Sequence, residues 1–170
     1  MTYEVRVGYA LPDERQLLIR MSNNQPSPHV TPIEISINEP IFDSTSFMID
    51  ERFGELRIST LEDIVGEKLR ALLQQSIRNR NRRQDVLDIA VAIRTNPALD
   101  RDHVASALIM KAEARGVPVS RAAFMSDELA RRAGLDYELL EGTTRTVFIP
   151  FDDALAIVLA FVDELPISLI

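Results

Sequence analysis

The chain has 170 residues, of which 46% are hydrophobic and 26% are charged, and its formal net charge is −7. This length allows one or at most two small domains, with enough apolar residues to bury a core. Because the chain has no cysteine, disulfides, thiol catalysis and thiolate zinc sites are excluded, and two scattered histidines do not suggest a histidine metal site. The acidic balance argues against a broad nucleic-acid-binding surface.

The N-terminal third of the chain has patterns typical of strands. Residues 3–10 alternate between polar and apolar side chains, and residues 15–21 predict a second strand that pairs with the first in a hairpin. Residues 22–32 are polar and rich in proline, which predicts a surface loop. Residues 33–37 form the clearest strand pattern, with three isoleucines on one face and Glu34 on the other. After an irregular stretch, residues 55–58 predict a short strand that leads into a helix.

The first predicted helix carries a lysine in the middle of its apolar face. Ser59 and Glu62 have the spacing of a capping box, so we expect Ser59 to cap this helix. Lys68 shares one helical face with Ile64, Val65, Leu69 and Leu72. A buried ammonium group is unfavourable unless it is paired. Lys68 therefore either extends its amine to solvent at the edge of the stripe or reaches a carboxylate or phosphate in a cavity.

The second predicted helix begins with two carboxylates that follow a basic turn. Asp85 and Asp88 are three residues apart and therefore neighbour each other on one side of the helix. Their ordinary interpretation is a favourable interaction with the helix dipole. If the two helices pack antiparallel, Lys68 comes within charge-pairing distance of Asp85 or Asp88. The turn between the helices is either a solvated loop or a phosphate-binding rim, and its arginines are Arg78, Arg80, Arg82 and Arg83.

The remaining sequence predicts helices that act as scaffold. Asp100 or Asp102 can cap a helix that ends near Gly116, and Ser120 and Ser126 can cap two further helices. A last helix is predicted over residues 151–165, after an extended segment at residues 146–149. The order of elements predicts an α+β fold in which a small mixed or antiparallel sheet (residues 1–58) packs on a helical bundle (residues 59–170). No signal peptide or membrane-spanning run is apparent, so we expect a cytoplasmic protein without membrane contact.

Two consecutive helical segments resemble the motifs of a known protein family, and they occur in the same order. Residues 67–74 read EKLRALLQ and residues 82–89 read RRQDVLDI. This pair resembles the EKLxALxxR and R-x-D-x-x-D-[LI] helices of the AbiEii/AbiGii toxin family of nucleotidyltransferases. The resemblance implies a nucleotidyltransferase-like fold that transfers a nucleotide from a nucleoside triphosphate to an RNA or protein acceptor, with Mg²⁺ as cofactor. It also implies a role in toxin–antitoxin or phage-defence systems, with an antitoxin or a second subunit as partner.

The resemblance assigns roles to individual residues. It implies that Lys68, Asp85 and Asp88 are catalytic, with Lys68 on the triphosphate, and that Arg82 and Arg83 contact nucleotide phosphates. Glu34 is the candidate metal-binding carboxylate, because the family has an acidic residue on a strand at this point. The alternative for Glu34 is an exposed glutamate on a half-solvated sheet.

The sequence departs from the family pattern in two places. Gln75 stands where the family often has arginine. The family's N-terminal Gly-Ser turn and Asp-x-Asp metal pair have no counterpart there, since the only Asp-x-Asp is Asp100-Arg101-Asp102. We therefore expect a truncated fold, half of a split enzyme, or a catalytically inactive binding module that keeps the fold. A missing first strand would leave a sheet edge open, which predicts a homodimer or a partner chain at that edge.

Overall fold

The computed structural model describes residues 2–36, 40–50, 54–144 and 147–170, with the side chains of Thr2 and Asp50 excepted. Within these residues the chain forms two compact units, Met1–Glu39 and Pro40–Ile170. Ile37 and Thr146, which belong to two predicted extended segments, lie outside the described residues. The predicted change from strands to helices at residues 58 and 59 falls inside the second unit, where a strand ends at Ser59 and a helix begins at Leu61.

The N-terminal unit contains two strands and one helix. Strand β1 (Thr2–Gly8) pairs antiparallel with β2 (Val30–Ser36), and helix α1 (Arg15–Ser22) lies between them in sequence. The strand predicted at residues 15–21 is therefore wrong, as is the hairpin built on it. These residues are mostly leucine, arginine, glutamine and methionine, which are strong helix formers. The turn before them is closed by the Glu14 side chain, which accepts a hydrogen bond from the Leu11 N–H at 2.7 Å.

One face of the β1–β2 sheet is apolar and exposed. Val5 lies opposite Ile33 and Tyr3 lies opposite Ile35, so these side chains share a face. All four are between 44% and 52% exposed. The isoleucine face predicted from the sequence is thus correct in its alternation, but these side chains do not enter a core.

The second unit contains a second sheet and most of the helices. Strand β3 (Ser44–Asp50) pairs antiparallel with β4 (Gly54–Ser59). The following elements are helical: α2 (Leu61–Leu73), α3 (Gln75–Arg78), α4 (Arg83–Thr95), α5 (Arg101–Glu113), α6 (Arg121–Phe124), α7 (Asp127–Gly134), a 3₁₀ turn (Tyr137–Leu140) and α8 (Phe151–Glu164).

The α+β class is confirmed, but the single sheet expected over residues 3–58 is wrong. In the described residues the strands form two separate two-stranded sheets, β1–β2 and β3–β4. Each strand pairs with its nearest neighbour in sequence, and β4 runs directly into α2.

Most of the predicted helix boundaries are confirmed. Asp100, Ser120 and Ser126 each accept backbone hydrogen bonds as N-caps. The cap predicted at Ser59 is displaced by one residue, because the Thr60 hydroxyl accepts the Asp63 N–H at 3.2 Å. Ser59 is still part of β4, so Thr60 is the first residue free to leave the sheet and start α2.

The core is formed by the helices of the second unit. Helix α2 packs on α4 and α5, and α4 packs on α8. Leu69, Val86, Leu108 and Val158 are among the buried members of this core. Gly66 lies where α2 meets α5, and a Cβ added to it would come within 2.8 Å of the Ala107 Cβ. The missing side chain therefore sets how closely the two helices approach.

We predict that Gly66→Ala destabilises the protein, although alanine is the better helix former. The added methyl group would also lie 3.0 Å from the Leu108 nitrogen, so α5 would have to shift. Overpacking of this kind costs about 1–3 kcal/mol, against a propensity gain of about 1 kcal/mol. Chemical denaturation measures the change. Gly142→Ala is the control, since nothing lies within 4 Å of its added Cβ; equal stabilities for the two variants would contradict the prediction.

We also predict that the exposed sheet surface supports association of two chains. Two-stranded sheets are marginal by themselves and leave backbone edges unpaired. Light scattering should show a dimer that Val5→Glu weakens, because Val5 is 44% exposed on the apolar face of β1. Leu139→Glu is the control, at a 62% exposed side chain outside both sheets. A monodisperse monomer at every protein concentration would contradict this prediction.

Candidate functional site

Lys68 is held between two carboxylates of the neighbouring helix. Its Nζ atom donates a hydrogen bond to Asp85 Oδ1 at 2.9 Å and another to Asp88 Oδ2 at 2.8 Å. The position of Lys68 on the α4-facing side of α2 and the i, i+3 spacing of the aspartates bring the three groups together. The predicted contact between the amine and the aspartates is confirmed. The Lys68 side chain is 26% exposed, so the cluster is open to solvent on one side.

Two further side chains complete the surroundings of the aspartates. Gln84 Nε2 donates to Asp88 Oδ1 at 2.8 Å. The second oxygen of Asp85, Oδ2, is buried and has no hydrogen-bond partner, and the Arg82 guanidinium is 3.6 Å from it. A buried carboxylate oxygen without a partner is unfavourable. An additional hydrogen-bond donor placed next to Asp85 Oδ2 would therefore interact favourably with it.

The electrostatic balance at Lys68 favours its charged form. Burial of the amine is the largest single influence and acts to lower its pKa, but the hydrogen bonds to Asp88 and Asp85 and the charges of these carboxylates together outweigh burial, and the pKa of Lys68 is raised above its ordinary value. Lys68 is therefore a fixed positive charge at neutral pH. In the core beside this cluster, burial and then the charges of Asp88 and Glu138 raise the pKa of Tyr137 to about 12. The neutral Tyr137 hydroxyl donates to the Ile149 carbonyl at 3.1 Å.

The arginines of the turn point in different directions. Arg82 lies beside Asp85, as described above. Arg83 instead donates to the Asp136 carbonyl at 3.0 Å, and its guanidinium lies 3.6 Å from the Asp136 carboxylate. The structure therefore brings Arg82 to the cluster and directs Arg83 towards the segment before the 3₁₀ turn. Arg78 and Arg80 are exposed.

Sequence patterns did not reveal two other parts of the site region. The Gln75 side chain is buried and accepts the backbone N–H of Arg82 at 2.9 Å. On the opposite side of α2, Lys111 of α5 donates to Asp63 at 3.1 Å, and both side chains are at most 5% exposed. Lys111 also donates to the Pro40 carbonyl at 2.8 Å. Lys111 lies among the apolar residues of α5 just as Lys68 lies among those of α2. The same sequence pattern could therefore have predicted that Lys111 has a carboxylate partner.

The residues of the cluster do not form a resident metal site. Two carboxylates are present, and the ammonium group of Lys68 occupies the space between them. Within the described ranges, no group of three or more histidine, aspartate or glutamate side chains could hold a metal ion. Glu34 is exposed on β2 of the N-terminal unit, opposite Glu4. Its assignment as a metal-binding carboxylate stays a prediction.

Comparison with known proteins identifies the family of this chain, in which a lysine of one helix is clamped by the first carboxylates of the next helix. Residues 2–157 match the family described as "Nucleotidyl transferase AbiEii toxin, Type IV TA system". The chain belongs to this family, as the EKLRALLQ and RRQDVLDI segments indicated. Neither the curated proteins nor the solved structures give a match. None of the helices in the described part of the chain is long and apolar enough to cross a membrane.

We predict that the Lys68 pairing stabilises the fold up to alkaline pH and is then lost. A group whose pKa is raised on folding contributes stability below its unfolded value, here 10.5, and loses it as pH rises through the folded value. The unfolding free energy of wild type should therefore exceed that of Lys68→Met by a constant amount between about pH 7 and pH 9.5 and by less above pH 10.5. Urea denaturation at each pH checks this. A difference that grows with alkaline pH would contradict the pairing.

Proposed function

We propose that this chain binds the triphosphate of a nucleoside triphosphate at Lys68 and Arg82 and transfers the nucleotidyl group to an RNA or protein acceptor, as the toxin of a toxin–antitoxin or phage-defence pair. The observation that carries the proposal is the clamping of Lys68 by Asp85 and Asp88, within the two motifs of a chain that belongs to the AbiEii family. Membership of a family with a given fold does not by itself assign a reaction. The Lys68 ammonium group is held in place and is open to solvent on one side, which suits it to bind a phosphate.

The geometry leaves Lys68 able to bind a phosphate oxygen. An ammonium group has three N–H donors, and two of them are used by Asp85 and Asp88. The third is available on the solvent-exposed side. Arg82 has five donors and is 34% exposed, so its guanidinium can keep its position near Asp85 and still present N–H groups outward. These two cations would bind the triphosphate from adjacent helices.

The charge of the cluster determines what else the nucleotide needs. The formal charges of Lys68, Arg82, Asp85 and Asp88 cancel, so an anionic triphosphate gains little from these four groups together. Additional positive charge would come from the exposed arginines of the turn, Arg78 and Arg80, and from Mg²⁺ carried by the nucleotide. Mg²⁺ commonly binds through substrate phosphates and one or two carboxylates and does not require a cage of protein ligands. Glu34 remains our candidate for a metal-binding carboxylate.

In the proposed reaction an acceptor oxygen attacks the α-phosphorus of the nucleotide. The bond from the α-phosphorus to the bridging oxygen of the β-phosphate breaks, pyrophosphate leaves with the bonding electrons, and the acceptor proton passes to a base. Asp85 would position the triphosphate or the acceptor, and Asp88 would hold Lys68 in place. Arg83 would contact a phosphate only after releasing Asp136. Negative charge that accumulates on the leaving oxygens is stabilised by preorganised cations such as Lys68.

We predict that Lys68→Ala abolishes nucleotide binding while the fold is retained, because the change removes the fixed cation. Calorimetric titration with ATP, GTP, CTP and UTP, with and without Mg²⁺, measures binding, and circular dichroism verifies folding. Arg94→Ala is the matched control, since Arg94 is a cation in the last turn of α4, about 13 Å along the helix from Asp85. Titration of wild type and Glu34→Gln with Mg²⁺ alone tests the metal assignment of Glu34 separately.

Transfer itself is tested with nucleotides labelled at the α-phosphate. Label should appear in RNA or protein with wild type and be absent with Lys68→Ala, and pyrophosphate should be released in equal amount. If wild type binds none of the four nucleotides, the enzymatic proposal is wrong for this chain. The family membership would then describe fold and ancestry, as expected for a binding module that engages a partner protein.

A further inference from the structure

Gln75 is a buried side chain that uses both ends of its amide at the junction before the arginine turn. It is 2% exposed. Its Nε2 atom donates to the Leu72 carbonyl at 3.2 Å, and its Oε1 atom accepts the Arg82 N–H at 2.9 Å. The backbone carbonyl of Gln75 accepts the Arg80 N–H at 3.1 Å. The first residue of α3 therefore fixes two positions of the segment that leads to α4.

The segment that Gln75 holds is also anchored at Asn79, whose Oδ1 atom accepts from the Arg132 guanidinium at 3.0 Å. Helix α3 ends at Arg78, and its C-cap residue Asn79 has a left-handed φ of 49°. Arg82 is the N-cap of α4 but makes no side-chain capping hydrogen bond. The Arg82 carbonyl accepts the Asp85 N–H at 3.0 Å, so the position of Arg82 also sets where the first turn of α4 begins. Fixing the Arg82 backbone therefore orients both the arginine and the aspartate.

We infer that Gln75 is a positioning residue for nucleotide binding, which acts by holding Arg82 beside the unpartnered oxygen of Asp85. The inference rests on the proposed function of the Lys68 cluster. Without the acceptor at Gln75, the Arg82 N–H loses its partner and the backbone before α4 gains freedom. The Arg82 guanidinium, 3.6 Å from Asp85 Oδ2, would then sample orientations that do not face a phosphate. Preorganisation of a binding side chain of this kind contributes to affinity by reducing the entropy lost on binding.

The competing explanation is that Gln75 only fills a buried polar position. The adjacent residue separates the two explanations. Gln74 is also buried, at 6% exposed, and also uses its side-chain oxygen, but this oxygen accepts from the Arg70 guanidinium and does not touch the turn. Substitution of either glutamine removes a buried amide from the junction between α2 and α3. Only Gln75 is connected to Arg82.

The test is a double-mutant cycle with Gln75→Met and Arg82→Ala, read by calorimetric titration with the four Mg–nucleotides. Gln75→Met should weaken the affinity of wild type about five- to tenfold, the effect of one lost hydrogen bond to a binding group. In the Arg82→Ala background the same change should have a clearly smaller effect, because the guanidinium through which Gln75 acts is gone and only the orientation of Asp85 by the backbone is left to change. Gln74→Met should leave the affinity unchanged.

A second measurement keeps the test independent of global stability. Amide hydrogen exchange by NMR should show that the Arg82 N–H is protected in wild type and in Gln74→Met and exchanges faster in Gln75→Met. If Gln75→Met does not fold, Gln75→Asn replaces it, since this variant keeps a buried amide but withdraws it by one methylene from Arg82.

The outcomes distinguish the inference from the proposed function. A loss of affinity from Gln75→Met that becomes clearly smaller in the Arg82→Ala background supports the inference. Wild-type affinity in Gln75→Met, or equal losses from Gln74→Met, would overturn the inference and leave the nucleotide site intact. Additive losses from Gln75→Met and Arg82→Ala would also overturn it, because they would show independent actions. Failure of wild type to bind any nucleotide would overturn the proposed function, and the inference with it.

Discussion

The contact of Lys68 with Asp85 and Asp88 is the interaction on which the register of α2 against α4, and the candidate site between them, depend. An ammonium group on the apolar side of a helix is stable only if the opposing helix supplies charge and hydrogen-bond acceptors. The two aspartates do so at 2.8 and 2.9 Å, and they raise the pKa of the amine against the effect of burial. Removal of the lysine or of the aspartates would leave the remaining charge partly buried and without a partner of opposite sign. The register between α2 and α4 is thus specified by charge as well as by packing.

Helix α2 is constrained on two sides by the same kind of contact. Towards α4 it presents Lys68 to two carboxylates, and towards α5 it presents Asp63 to Lys111. The α5 side is closed to solvent and further tightened by Gly66, where the helices are too close for a methyl group. The α4 side is partly open. This difference separates a pair that holds the fold together from a pair that is accessible to a ligand.

Much of the helical unit could be predicted from the sequence, because its signals are local. Apolar periodicity predicted α2, α4 and α8, and cap residues predicted the starts of α5, α6 and α7. Antiparallel packing of the first two helices predicted the contact of Lys68 with the aspartates. Helix α1 was missed because leucine, arginine and methionine at residues 15–21 have no decisive period and helix propensity prevailed. The partners of Lys111 and Arg83 were missed because they lie 48 and 53 residues away. The Gln75 contact was missed because bonds from a side chain to the backbone leave no periodic pattern.

The exposed character of the N-terminal unit has a calorimetric consequence. No side chain described between residues 3 and 36 is buried, whereas the helices of the second unit enclose the apolar core. The heat-capacity change of unfolding arises mainly from newly hydrated apolar surface. A melting curve of this protein would therefore report the helical unit almost alone. Loss of β1, α1 and β2 would add little heat and little curvature, so a normal thermogram would not establish that these elements are folded.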